Sequence, residues 1–314
     1  MKVCFLFPGY GSQFVGMGKE LYDESRVVQE YFEQASHCLD NNFVKLCFAS
    51  SDAELSKMEN AFPSLFLVSA SIFSLLKEEG ITPDVIAGYN DGEYAALFAA
   101  QGLSFPDGLY MLSKYATFYQ ELLDGVDVQL IHIFGLSSSV LQKICTQVST
   151  KEHCADIAIF IDKSNFIVSG HTQAIKALYD LALQEEGVKM EYVDTAFGLH
   201  SEIMEPVVNS FKIYLPKVDL KDLSIPVMSG VDAKVIKKSE QVTDAVVRAL
   251  HEPIQWKKVV DKLKDCDLFV AIGPGQTLVD LIKERYPDKL SIVINNRADI
   301  DKLKSLIEEK TMTE

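Results

Sequence analysis

The sequence predicts an α/β protein in which a parallel-sheet main domain is interrupted by a smaller inserted α+β subdomain. Three observations carry this. Short apolar runs alternate with amphipathic helical stretches through most of the 314 residues, as expected for parallel strands joined by crossover helices. Two glycine-bearing turns, at residues 8–13 and 88–92, lie between a strand run and a helical run. Between residues 127 and 195 the alternation gives way to a β-α-β-β-α-β order, the ferredoxin-like arrangement, compact enough to be an insertion.

Taken in order, Met1 to Phe7 reads as a first strand that stops at Pro8 and a Gly-rich turn, Pro8-Gly-Tyr-Gly-Ser-Gln13, with a helical pattern from about Tyr22. From Pro63 to Glu79, Leu65, Phe66, Val68, Ile72, Phe73, Leu75 and Leu76 recur at helical spacing with few charges, which suits a buried helix. Asp84 to Gly88 is a strand ending in a sharp turn, and Glu93 to Gln101 is an Ala-rich helix, so the turn has the geometry of an elbow. The insertion follows as strand 128–134, helix 138–148, strands 156–161 and 166–169, helix 172–185 and strand 188–193. Beyond it, 202–214 is helical, 225–229 a strand, 242–250 and 256–263 helices, and 268–272 a strand leading through Gly273-Pro-Gly275 to a helix from Thr277. The expected division is a main domain of residues 1–126 and 196–314 around a small subdomain of 127–195.

Composition limits the function classes. Hydrophobic residues make up 48 % and charged residues 24 % of the chain, which fits a folded core and excludes a disordered or fibrous protein. The net charge of −15 argues against nucleic acid and anionic membrane surfaces as partners. Lysines bunch at 234, 237 and 238 and at 257, 258, 262 and 264, where either a solvated face or the docking of an acidic partner fits. The first residues lack the length and cleavage region of a secretory signal. No apolar stretch is expected to reach the ~18 to 20 residues that cross a bilayer, so a cytoplasmic location is expected. Cys4, Cys38, Cys47, Cys145, Cys154 and Cys266 show no metal-type spacing and read as reduced core thiols.

Five landmarks in order resemble the malonyl-CoA:acyl-carrier-protein transacylase and polyketide synthase acyltransferase family. Phe7-Pro-Gly-Tyr-Gly-Ser-Gln13 is similar to its FPGQGSQ opening, and Gly88-Tyr-Asn-Asp-Gly-Glu-Tyr-Ala-Ala-Leu97 to its GHSLGEYAAL elbow. His200-Ser-Glu-Ile-Met-Glu-Pro206 resembles HSPLMEP, Pro253-Ile-Gln-Trp256 resembles PVQW, and Gly273-Pro-Gly275 matches the late GPG turn. The resemblance implies an α/β-hydrolase-like main domain. It also implies a Ser-His acyl transfer from coenzyme A to the phosphopantetheine thiol of a carrier protein, with no cofactor and no metal. Acyl carrier protein or another synthase component is the implied partner, and an acyl thioester the implied ligand.

The departures fall on the chemistry. Asn90 stands where the family has its nucleophilic serine, and a carboxamide has neither an acidic proton nor a free lone pair on nitrogen. Tyr89 replaces the preceding histidine and Asp91 follows, on the substrate-binding side of the elbow, a carboxylate unfavourable beside a developing oxyanion unless it points away. Tyr10 stands at the glutamine that supports the oxyanion site, and Tyr115 at the arginine that pairs with malonate, a pairing tyrosine cannot supply. The family asparagine of the inserted subdomain falls near Asp162. His200 is retained, two residues displaced from the usual AFHS pattern, and the other five histidines have no motif around them. Asn90 reads as a turn residue suited to left-handed backbone ahead of any direct chemical role. Tyr10, Tyr89 and Tyr115 read either as a filled pocket or as a reshaped acyl site. A pseudoenzyme that binds carrier protein or acyl group is the favoured expectation. The alternative is an active acyltransferase or acyl hydrolase on a non-malonyl thioester, with His200 as general base.

Overall fold

A computed structural model describes residues 1–193 and 197–311, so the expected return to the main domain at residue 196 lies outside the described residues. The main sheet contains strands β1 (Val3–Phe7), β2 (Val85–Gly88), β7 (Val227–Met228), β8 (Val235–Ile236), β9 (Leu268–Ile272) and β10 (Leu290–Ile294), in the order β10-β9-β1-β2-β7-β8. Every pair is parallel except the antiparallel β7–β8 edge. β1 and β9 are buried along their whole length, because helices cover both faces of a parallel sheet and leave no solvated side.

The second sheet holds β3 (Val128–Phe134), β4 (Ala155–Asp162), β5 (Asn165–His171) and β6 (Lys189–Val193), antiparallel in the order β4-β5-β3-β6. With the helices Ser138–Val148 and Thr172–Ala182 packed on it around Ile131, Leu141, Phe166 and Leu178, this is the ferredoxin-like arrangement expected of the insertion. The two sheets are joined at one point of the 253–256 motif. Ile254 forms a parallel bridge to Ile159, its N–H donates to Ala158 O, and its carbonyl accepts the Phe160 N–H.

Register brings three motif loops to one edge. Phe7 pairs with Gly88 and Leu6 with Ala271, so the chain leaves β1, β2 and β9 at the same level. The carboxyl ends of parallel strands are where open α/β sheets build their sites. The late turn closes against the opening loop, since a Cβ at Gly273 would meet Ser69 Oγ at 2.5 Å and Pro8 Cγ at 3.2 Å.

Several local expectations are corrected. The buried helix runs Met58–Glu78, so Pro63 sits inside it rather than at its start. Proline removes one helical hydrogen bond, which the burial of Phe62, Leu65 and Phe66 on that helix offsets. This helix is long and apolar enough to cross a membrane by length and composition, contrary to the sequence reading; 89 % of its apolar window is buried within the protein. The strand expected at 225–229 is two residues long, and the helix at 202–214 opens with a 3-10 turn, Glu202–Met204, before Glu205–Tyr214. Helices Phe43–Ala49 and Asp52–Leu55, strands β8 and β10 and the helix Arg297–Thr311 were not anticipated. Among the cysteines, Cys38 is exposed and Cys154 half-buried, so only Cys4, Cys47, Cys145 and Cys266 are core thiols.

Candidate active site

The elbow exists because glycines let three backbones touch. A Cβ at Gly88 would lie 2.3 Å from Glu93 N, one at Gly92 2.3 Å from Phe7 O, and one at Gly9 2.4 Å from Tyr89 O. Between them Asn90 takes a left-handed backbone, φ 56°, which asparagine tolerates better than most residues. The turn is held by Tyr89 N–H donating to Phe7 O at 2.9 Å and Gly92 N–H donating to Tyr89 O at 3.0 Å.

His200 is delivered by the loop Phe197–His200. Gly198 and His200 both have positive φ, 101° and 36°. The Tyr119 hydroxyl oxygen accepts the Gly198 and Leu199 N–H groups, each at 3.1 Å, and Ser169 on β5 donates its hydroxyl to Leu199 O. The small subdomain thus fixes the loop that carries the histidine.

His200 lies 2 % exposed, with Nδ1 3.0 Å from Ala249 O and Nε2 3.1 Å from the Asn90 carboxamide oxygen. A carbonyl only accepts, so Nδ1 carries the proton. Burial pushes the imidazole down to about 4, against the opposing pull of Ala249 O, so at neutral pH Nε2 holds a lone pair. The amide then satisfies it by the flipped orientation, with Asn90 Nδ2–H donating to Nε2; oxygen and nitrogen are interchangeable in the envelope of an amide.

The remaining expected residues divide between two environments. Asp91 Oδ1 accepts the Tyr10 N–H at 2.7 Å. Burial raises the Asp91 carboxyl to about 7, partly opposed by the N–H groups of Tyr10 and of Asp91 itself. The Tyr10 phenol points elsewhere and donates to Ser56 O at 2.8 Å. Its ring packs on Phe62 and Phe197, while Tyr115 stacks on Phe62 at 5.4 Å and meets Tyr119 and Phe197 edge-on at 5.7 and 6.1 Å. Tyr89 turns to the other side of the elbow, its ring 5.1 Å from Trp256. Asn90, Asp91 and Tyr115 together line a cavity of about 10 Å³, near the lower limit of the roughly 10–15 Å³ that one water needs. Asp162 lies apart, in a separate cavity of about 20 Å³ with Trp256 and Lys257.

Sequence reasoning missed Tyr119, Ser169, Phe62, Phe197 and Ala249, which position His200 or fill the space beside it. Glu93 was missed as well: it is 3 % exposed and lines the same cavity. Burial is the largest cause raising its carboxyl to about 8, and neither oxygen has a hydrogen bond of full geometry. Only Tyr119 left a signal, four residues after Tyr115 and so on the same helical face. Among the described residues no three His, Cys, Asp or Glu side chains converge as metal ligands. His37 is exposed, and His153 and His171 pack ring against ring, 5.2 Å apart, far along the chain from the elbow. The lysine clusters face solvent in part and are partly paired, Lys234 with Asp232, Lys238 with Asp222 and Lys257 with Asp261.

Residues 4–296 match the family model described as Acyl transferase domain. The malonyl CoA-acyl carrier protein transacylase of Bacillus subtilis (strain 168) is 32 % identical over 285 residues, 90 % of either chain. The structure of the malonyl CoA-acyl carrier protein transacylase from Clostridium perfringens matches with a TM-score of 0.93 at 22 % identity, covering 100 % of this chain and 99 % of that one, a likeness of fold. A malonyl-transacylase solved in complex with a type II polyketide synthase acyl-carrier protein matches with a TM-score of 0.91 at 25 % identity, covering 96 % of this chain and 98 % of that one. The chain belongs to the acyl transferase domain family, as a homologue of the malonyl-CoA:acyl-carrier-protein transacylases.

Proposed function

We propose that this chain is a pseudoenzyme of a fatty-acid or polyketide system, one that binds an acyl carrier protein or its acyl group and does not perform normal malonyl transfer. The observation that carries the reading is the 3.1 Å contact between His200 Nε2 and the Asn90 carboxamide. The His200 Nε2 lone pair is spent on an amide that has no acidic proton to yield and no nucleophile to release. The aromatic packing at Tyr115 supports it, because the place given to malonate by the family resemblance is closed by rings and the cavity beside Asn90 is water-sized.

The carrier protein enters this reading from the relatives, whose names and complexes speak of it. The proposal also places residues 127–195 as the small subdomain within a main domain of 1–126 and 196–314, and the whole in the cytoplasm. An acyl hydrolase using His200 would need water at Nε2, where the amide stands. The test is incubation with malonyl-, acetyl- and longer acyl-CoA, read by intact mass, beside calorimetric titration with a holo carrier protein. The expected outcome is an unmodified chain and measurable binding; a covalent adduct on residue 90 or 91 sinks the proposal.

A further inference from the structure

A backbone donor at the elbow is met by a group that the chain supplies itself. Asp91 follows Asn90 and opens the helix Gly92–Ala99. Its Oδ1 accepts the Tyr10 N–H at 2.7 Å. In a strand-to-helix elbow, the N–H of the residue after the nucleophile position and a second N–H from another loop hold the carbonyl oxygen as it gains charge. Here those two donors belong to residues 91 and 10.

A Cβ at position 9 would stand 2.4 Å from Tyr89 O and 2.5 Å from Asp91 Oδ1, so the glycine that lets the loops touch also leaves the carboxyl in place. The group is 6 % exposed at the N-cap of that helix. Rotating it away would strip a buried carboxyl of the Tyr10 N–H.

We infer that the Asp91 side chain occupies the oxyanion position of this fold and excludes a thioester carbonyl from it, a second block independent of the missing hydroxyl at Asn90. This deepens the proposed function and rests on it for the identity of the excluded ligand. Asp91 becomes the residue that decides admission to the site, and serine at position 90 alone does not restore attack.

The test compares Asn90→Ser, Asn90→Ser/Asp91→Asn and Asn90→Ser/Asp91→Leu, leucine being the residue of the resembling elbow motif. Each is treated with a fluorophosphonate and with acetyl-CoA and read by intact mass. With the fluorophosphonate, serine Oγ bonds to phosphorus, the P–F bond breaks, fluoride leaves and the serine proton passes to His200 Nε2. With acetyl-CoA, the ester C–O bond forms, the C–S bond breaks and that proton goes on to the coenzyme A thiolate. The leucine double variant is expected to be modified at least about 100-fold faster than Asn90→Ser, the scale of an oxyanion contact. The asparagine double variant, whose amide oxygen keeps the seat, stays near the slow rate. Equal rates for Asn90→Ser and the leucine double variant, whether both fast or both zero, overturn the inference. Modification of the unaltered chain counts against the proposed function and leaves this inference standing. The Tyr10 amide proton gives a second readout that needs no leucine variant. It is expected far downfield and displaced by Asp91→Asn, and an unmoved resonance also overturns the inference.

Discussion

Tyr115→Ala is expected to lower stability by about 3–5 kcal/mol, the usual cost of deleting a buried ring. Tyr115 is 3 % exposed and its ring touches Phe62, Tyr119, Phe197 and Phe211. Four packed partners leave little freedom for collapse, so most of the lost volume stays as a cavity. A loss of this size corresponds to a melting temperature lower by about 10 °C in a domain of a few hundred residues. The same change should open the water-sized space beside Asn90 to small apolar ligands. An arginine at this position would bury a guanidinium among the same rings, which costs more than the cavity unless a carboxylate turns to meet it. Melting curves of Tyr115→Ala and Tyr115→Phe test this. The phenylalanine variant keeps the ring contacts and should stay within about 1.5 kcal/mol of the parent.

Glu93→Gln is expected to stabilise the protein at alkaline pH and to leave it little changed at pH 5. The Glu93 carboxyl is raised from an ordinary 4.5 to about 8, first by burial, with Asp232 adding to the shift and Arg248 and the Gly230 backbone opposing it. The folded state therefore binds a proton that the unfolded chain releases. Its contribution is fully present below about pH 4.5 and is lost as pH rises to about 8, beyond which it stays lost. The amount is on the order of a few kcal/mol at one unit per 1.4 kcal/mol. Glutamine is neutral at every pH and removes this dependence. Asp91, raised to about 7, keeps a slope of the same sign at lower pH. Unfolding midpoints of the parent and Glu93→Gln at pH 5 and pH 9 check the sign; a larger gain at pH 5 would contradict it.

Much of the fold was legible because its motifs are turns at strand ends. Gly88 and Gly92 mark a place where two backbones meet within contact distance, and only glycine satisfies that. The 3.6-residue period of Leu65 to Leu76 reported a buried helix, although its start was misplaced, since Pro63 resembles a first-turn proline. β10 escaped notice because its exposed Leu290 and half-buried Ser291 interrupt the apolar pattern at the sheet edge. The Arg297–Thr311 helix escaped because charged residues surround its buried Ile300 and Leu303.

The site divides the same way. The meeting of residues 90 and 200 follows from two motifs that sequence displays. The bond from Tyr10 N–H to Asp91 spans 81 positions and uses a backbone donor, which has no residue type to read. The support of His200 by Tyr119 and by β5 depends on how the inserted sheet docks, and packing between subunits of a fold leaves no periodicity. Asp91 could be read only as a carboxylate in an unfavourable place. Its direction, onto the Tyr10 N–H, belongs to the folded chain.

The most direct measurement is the initial rate of malonyl transfer from malonyl-CoA to a holo carrier protein, with the unaltered chain, with His200→Ala and with no added protein. Losing the nucleophile of such a pair lowers turnover on the order of a millionfold, so all three rates are expected to coincide. A rate well above the uncatalysed one that falls in His200→Ala would contradict the account, because His200 would then be working as a base despite the amide that caps it.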